Sequence, residues 1–245
     1  KVVHDQEMQD VTYRHAFLEF HGVPVMYTPY LSHPDPTIER RTGFLVPSYG
    51  SDSELGRLVS TPYYFDIAPN MDSTFTPIVT TNEGVVGSGE FRHRQSKTGY
   101  VLGGSITHAS REDGKSNGLR GHLKGKLRHE FDPTWRGGAD LHLASDDTYL
   151  RRYNFEAPDT LENRVYAEGF RGRNYASANA YHFQGQRLND NESETPIVFP
   201  KLDYNYVGEQ GSYGGIWNLD ANALIISRTG GTDSRRLSAK TKWEL

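Results

Sequence analysis

The 245 residues include no cysteine, which removes disulfides and thiolate metal sites from consideration and says little about the compartment. No apolar run approaches the roughly 18 residues that a membrane-crossing helix needs. A mean hydropathy of −0.70 with 35% hydrophobic residues excludes a bundle of such helices. The 10 histidines show neither HExxH nor His-x-His spacing, so no metal is assigned. No nucleophile elbow, phosphate loop or dinucleotide fingerprint is present, and the sequence gives no reason to expect an enzyme or a cofactor. A formal net charge of −4 implies no nucleic-acid partner. The opening Lys1-Val2-Val3-His4 lacks the basic and apolar regions of a signal peptide.

What is abundant points to strands. Tyr 15, Phe 11 and Trp 3 favour them, and Gly 25 with Pro 12 suits a chain of many turns. From residue 119 to residue 131 the even positions are Arg120, His122, Lys124, Lys126, Arg128 and Glu130. The odd ones are Leu119, Gly121, Leu123, Gly125, Leu127, His129 and Phe131. Strand side chains alternate between faces, so this segment has one charged and one apolar wall. Similar segments of about ten residues recur along the chain, which is the additive signature of a transmembrane β-barrel with a polar interior. The pattern predicts about twelve strands: 44–50, 57–67, 72–81, 85–95, 100–110, 119–131, 136–150, 163–172, 175–185, 197–207, 216–229 and 235–245. Arg171-Gly172-Arg173-Asn174 reads as a tight turn. Short connections alternate with longer polar ones, the asymmetry expected between periplasmic turns and outer loops.

Residues 1–40 differ. Ala16–Phe20 and Val23–Tyr27 read as apolar-rich strands of a separate β-domain, and Pro24 confines the second to an edge or a bulge. A proline-rich stretch, Ser32-His33-Pro34-Asp35-Pro36, reads as a stiff junction ahead of a barrel portion at 41–245. Trp243-Glu244-Leu245 stops in mid-pattern, so the expectation is a piece of a larger barrel with more chain on both sides.

Several stretches carry a resemblance to a known family. They are His21-Gly22-Val23-Pro24-Val25-Met26-Tyr27-Thr28-Pro29-Tyr30, Arg40-Arg41-Thr42-Gly43-Phe44-Leu45-Val46-Pro47-Ser48-Tyr49-Gly50 and Pro62-Tyr63-Tyr64-Phe65-Asp66-Ile67-Ala68-Pro69-Asn70-Met71-Asp72. Shorter matches are Thr74-Phe75-Thr76-Pro77, Gly89-Glu90-Phe91-Arg92, Ser145-Asp146-Asp147-Thr148-Tyr149-Leu150 and Gly231 to Ser238. These stretches resemble the LptD family of lipopolysaccharide-assembly proteins, and the resemblance implies an all-β chain: the last strands of a periplasmic β-jelly-roll, then roughly the first half of a very large antiparallel transmembrane β-barrel in the cell outer membrane. It also implies lipopolysaccharide as cargo, an LptE-like lipoprotein plug and an LptA-like periplasmic bridge as partners, and outer-membrane lipid around the barrel. Cargo would leave sideways between the first and last strands. Better-known members join jelly-roll to barrel with disulfides, which a chain without cysteine does not do.

The resemblance places Pro47 and Pro62 at this lateral gate. Each removes a ladder donor where a seam must open; the plainer reading is punctuation at strand starts. Pro77 also falls within a strand, with no separate role. Arg120, His122, Lys124, Lys126 and Arg128 are expected to face the lumen, either touching phosphorylated sugars or plug carboxylates or forming a solvated wall. Asp146-Asp147 cannot act as an acid/base pair from opposite strand faces and reads as a strand end or loop. Asn189 to Glu194 has the composition of a calcium loop without its register. Two other classes stay open: a passive porin-like channel, separated by lipopolysaccharide crosslinking, and a soluble glycan-binding domain, separated by detergent dependence.

Overall fold

A computed structural model describes residues 2–5, 10–20, 23–34, 40–109 and 118–245. The first three strands, β1 (Val2–Asp5), β2 (Asp10–Phe20) and β3 (Val23–Pro34), pair antiparallel in a sheet of their own. Pro24 lies on a terminal strand of that sheet and beside a bulge. The pairing steps from Leu18↔Met26 to Glu19↔Pro24, so Val25 is the extra residue where the proline donor is missing. The expected junction begins inside β3, which runs to Pro34; Asp35 and Pro36, with His21, Gly22 and residues 37–39, lie outside the described residues.

All remaining strands form one antiparallel sheet of fourteen segments. In chain order they begin with β4 (Gly43–Phe44), β5 (Ser48–Asp52), β6 (Gly56–Ser60), β7 (Tyr63–Ala68), β8 (Met71–Thr80), β9 (Gly84–Arg94) and β10 (Thr98–Ala109). They continue with β11 (Gly118–Glu130), β12 (Trp135–Ala144), β13 (Thr160–Arg171), β14 (Asn174–Gly185), β15 (Ile197–Val207), β16 (Ile216–Ser227) and β17 (Ser234–Glu244). Because β4 leads into β5 and β6 into β7 without reversing, the fourteen segments trace the twelve strands expected from the alternation. Every neighbour along the order from β8 to β17 is also the next strand in sequence, as in an up-and-down barrel wall. Arg171↔Asn174 closes the tight turn, with Gly172 at φ +61°.

Cross-strand partners share a face. Lys124 is opposite Gly103 and His142, and Lys126 is opposite Val101 and Asp140. Leu123, between them, is opposite Gly104 and Leu143, on the apolar face. Leu119, Leu123, Leu127, Phe75, Val79, Val85 and Ile106 are all exposed on that second face. So continuous an apolar surface belongs against lipid or another apolar layer. Near the short-turn rim the same face carries Phe91, Trp135, Tyr204, Trp217 and Trp243, with Trp217 paired to Trp243. Trp135 lies flat over Gly169, where a Cβ would come within 2.8 Å of the ring.

Residues 69–70, 95–97, 131–134 and 172–173 fall at one end; the long connections 145–159 and 186–196 fall at the other, together with the short turns 53–55 and 81–83. Residues 208–215 are a longer connection on the short-turn side. One predicted boundary is corrected: the strand expected over 136–150 ends at Ala144. Asp146 stops it by accepting bonds from Thr148 N at 3.1 Å and Thr148 Oγ at 2.8 Å. A single helical turn, α1 (Tyr149–Arg152), follows. The buried cluster of Leu55, Val86, Tyr149, Leu150, Tyr153 and Leu161 forms where the 145–159 connection folds back onto the polar face of the sheet.

Candidate functional site

Two features set this sheet apart: a break through its first strands, and the connection lying on its polar face. The break comes from proline chemistry. Between Phe44↔Tyr63 and Ser48↔Ser60 three residues, 45–47, face two, 61–62, so the ladder shifts by one residue. Pro47 and Pro62 sit in these two interruptions and offer no N–H. The one backbone bond crossing the gap runs from Leu45 N to Pro62 O at 2.9 Å. On the other side, β6 and β7 both pair with β8 in one continuous register, Ser60↔Ile78 and Tyr63↔Phe75. Thr61 N donates to Pro77 O at 3.2 Å, and Pro77 cannot donate in return. Three adjacent strands therefore lack donors along one line, with Pro77 extending the pair Pro47 and Pro62 seen in sequence.

The five residues expected on one wall share the polar face, yet their surroundings differ. Arg120 is 1% exposed. Its Nε and Nη2 donate to Asp146 Oδ2 and Oδ1 at 2.9 and 2.7 Å, and Nη2 also reaches Thr148 Oγ at 2.7 Å. The rings of Tyr149 and Tyr153 stand 5.6 and 5.8 Å from its guanidinium carbon. His122 is half-buried beside Phe155, with ring centroids 4.4 Å apart, and its Nδ1 contacts Ser105 Oγ at 2.7 Å. Lys124 pairs with Glu156 of the connection, and Arg128 with Asp140 at 2.9 Å. Among the described residues Lys126 has no ion-pair partner. It opens into a recess of about 1050 Å³ towards the short-turn rim, also lined by Arg40, Arg92, Arg94, Lys97 and Arg128. Arg40 closes one side, donating to Tyr64 Oη at 2.9 Å and Asp72 Oδ2 at 3.0 Å.

Residues 145–159 make a strap across the polar face. Besides Arg120–Asp146, Tyr149 Oη meets Ser105 Oγ at 2.6 Å. Arg152 donates to Glu83 Oε1 at 2.6 and 3.2 Å, and Tyr153 Oη to Glu83 Oε2 at 3.1 Å. Asn154 Nδ2 donates to Asp52 Oδ2 at 3.1 Å. Full burial of one leucine or aromatic side chain is worth about 1.5–3 kcal/mol. Tyr149, Leu150, Leu161 and Leu55 are all buried here, so the strap is a packed element.

To release the strap the sheet must let β13 diverge from β12, whose pairing ends at Asp140↔Arg164. The backbone left open is closed by side-chain amides. Asn163 Oδ1 accepts from His142 N at 2.9 Å while Nδ2 donates to His142 O at 3.1 Å. Gln184 does the same for Ala144, at 3.1 and 2.8 Å. Unsatisfied backbone groups in an apolar setting cost several kcal/mol each, and these two amides remove four of them.

The electrostatics of the strap follow from its burial. Desolvation would raise the Asp146 carboxyl, but hydrogen bonds from Arg120, Thr148 and Ser145 prevail and hold it well below the usual carboxylate range. Among the described residues Asp147 has no such partner. Burial first, then the neighbouring charge of Glu192, push it up. The two adjacent carboxyls thus diverge because one is bonded and the other is not. Burial, the charge of Glu83 and the bond to it push the Tyr153 phenol up to about 12.

The strap's anchors Asp52, Glu83, Arg152 and Asn154 were not legible as a site. The one available signal was composition: Tyr149, Leu150, Tyr153, Phe155 and Leu161 are too apolar for a solvated loop.

A family model described as LPS transport system D matches residues 119–245. An LPS-assembly protein LptD from Nitrosococcus oceani is 35% identical over 176 residues, covering 70% of this chain and 23% of that protein. Its namesake from Haemophilus influenzae is 33% identical over 198 residues, covering 78% of this chain and 25% of that protein. One from Pectobacterium atrosepticum is 30% identical over 214 residues, covering 84% and 27%. The chain spans about a quarter of the length of these curated relatives.

Proposed function

The chain belongs to the LptD family, and from that premise we propose that it is part of the wall of an outer-membrane barrel that carries lipopolysaccharide to the outer leaflet. Residues 41–245 are the barrel portion and residues 1–40 the end of a periplasmic jelly-roll. The apolar face meets lipid, and the aromatic row near the short-turn rim sits at the periplasmic interface. The polar face, with Arg120, His122, Lys124, Lys126 and Arg128, lines the lumen. Lys126 and the recess beside it lie on the path of phosphorylated sugars. Lipopolysaccharide arrives from an LptA-like bridge, and an LptE-like lipoprotein fills the lumen.

The observation that carries this reading is the line of missing donors on three adjacent first strands; the later ladders have bulges at Asn179/Tyr181 and Val198/Lys201 but no such line among the described residues. A passive channel gains nothing from slack first strands; a barrel that releases cargo sideways between its first and last strands needs a first strand that can move. Pro47 and Pro62 are the gate residues.

Depletion of the full-length protein tests the reading. Surface lipopolysaccharide should fall and sensitivity to bulky antibiotics rise, with a photo-crosslinker at position 126 trapping lipopolysaccharide in active cells. Unchanged surface lipopolysaccharide after depletion, with loss of small-solute uptake instead, would identify a passive channel.

A further inference from the structure

We propose that Arg152, Tyr153 and Asn154 are positioning residues that pin the outer end of the first strand, so that the seam opens as a bow in mid-strand and not as a zipper from the rim. The inference rests on the transport reading for its purpose and on geometry for its content. The first strand is held at both ends. At one end Arg40 bonds Tyr64 and Asp72, and Thr42 Oγ accepts from Asp66 N at 2.9 Å. At the other, Asp52 accepts from Asn154, and the turn that follows puts Leu55, 2% exposed, into the strap's buried cluster. Asp52 also accepts from Glu54 N and Leu55 N at 2.8 and 3.1 Å, so gripping it grips the whole β5–β6 turn. Arg152 and Tyr153, on Glu83, fix the strap to the β8–β9 turn next to it.

Between the inner anchor and the five β5–β6 pairs that run from Ser48↔Ser60 to Asp52↔Gly56, the strand is slack. Residues 43–47 make two ladder pairs and the single bond from Leu45 N, and Phe44 and Val46 are 75% and 88% exposed. A segment fixed at both ends and loosely paired between them can only part in the middle. The strap is the outer fixture, and it comes from the far side of six strands of wall rather than from a neighbour of the seam.

Spin-label distances in the full-length protein in lipid nanodiscs test this without reference to transport. Labels at Ser51 and Val85 report the rim, and labels at Val46 and Phe75 the middle; all four side chains are outside the strap's contacts. The rim pair should give a narrow distribution and the middle pair one at least twofold wider. In Arg152→Ala/Asn154→Ala the rim distribution should widen towards that of the middle, and Asn154→Ala alone should move it part of the way if the double variant does not fold. A rim pair as broad as the middle pair in the parent, or one unmoved in a folded variant, overturns the proposal. Failure of the transport reading shows separately, as surface lipopolysaccharide that ignores depletion, and leaves these widths unaffected.

Discussion

Thr61 and Pro77 face each other across neighbouring strands and share one hydrogen bond where such a pair ordinarily shares two. Thr61 N donates to Pro77 O at 3.2 Å, and nothing returns. Replacing Pro77 with Val restores the donor in a strand-compatible residue and adds one bond worth about 0.5–1.5 kcal/mol net. The full-length variant should show slower amide exchange at and around Thr61, with a higher denaturant midpoint.

Pro47→Ala/Pro62→Ala is the matching change in the ladder between the first two strands. Up to two further ladder bonds, each worth about 0.5–1.5 kcal/mol, should leave the protein at least as stable and still inserted. Delivery of lipopolysaccharide to the surface should fall. Normal delivery by a correctly folded double variant would reduce these prolines to strand punctuation.

Arg120→Ala should cost about 3–5 kcal/mol, because it leaves the half-buried Asp146 without its charge partner. Arg120→Lys should recover only part of that, since one ammonium cannot reproduce the paired Nε and Nη2 bonds. Thermal unfolding together with protease cleavage within 145–159 measures both. A lysine variant as stable as the parent would show that charge alone matters at this position.

The strap should also respond to pH in a definite direction. The Asp146 carboxyl is lowered on folding, so its contribution is complete above about pH 4, the unfolded value, and is lost only in stronger acid. The Tyr153 phenol is raised from 10.0 to about 12. Its contribution is complete below pH 10 and disappears as pH rises towards 12. Protease protection of 145–159 should therefore be flat from about pH 7 to 9 and decline above, and Tyr153→Phe should flatten part of the alkaline limb. A decline beginning near neutrality would contradict this.

Leu123 and Lys124 test the two faces. An arginine at 123 should destabilise by about 2–4 kcal/mol if the position lies near the bilayer midplane. Lys124→Leu should be far milder, since it gives up only a half-exposed pair with Glu156. Equal cost at the two positions would mean that the faces are not lipid and lumen.

Strand number and phase were legible because side-chain period and face are one variable. Leu119, Leu123 and Leu127 against Lys124, Lys126 and Arg128 fix the register of β11 whichever partners it has. Pro47 and Pro62 were legible for a similar reason, since a missing N–H is a property of the residue alone. Pro77 was visible but mute: its meaning depends on standing opposite Thr61, and alternation does not report opposition. The strand expected to continue to residue 150 failed because Tyr149-Leu150 kept an apolar signal after Asp146 had turned the chain. The anchors failed more completely. Asn154 meets Asp52 at a separation of 102 residues, and no local pattern carries a contact of that range.

That same separation constrains how the molecule can be put together. The strap is encoded between β12 and β13, but its seats are Asp52, Leu55 and Glu83, on the turns at β5–β6 and β8–β9. It has nowhere to dock until those earlier strands already lie side by side in register. Contacts of such high sequence separation form late, because chain closure must precede the contacts that reward it. Docking of Tyr149 and Asn154 therefore depends on the earlier strands being in place. A wall with one strand slipped or out of order would offer the strap no seat.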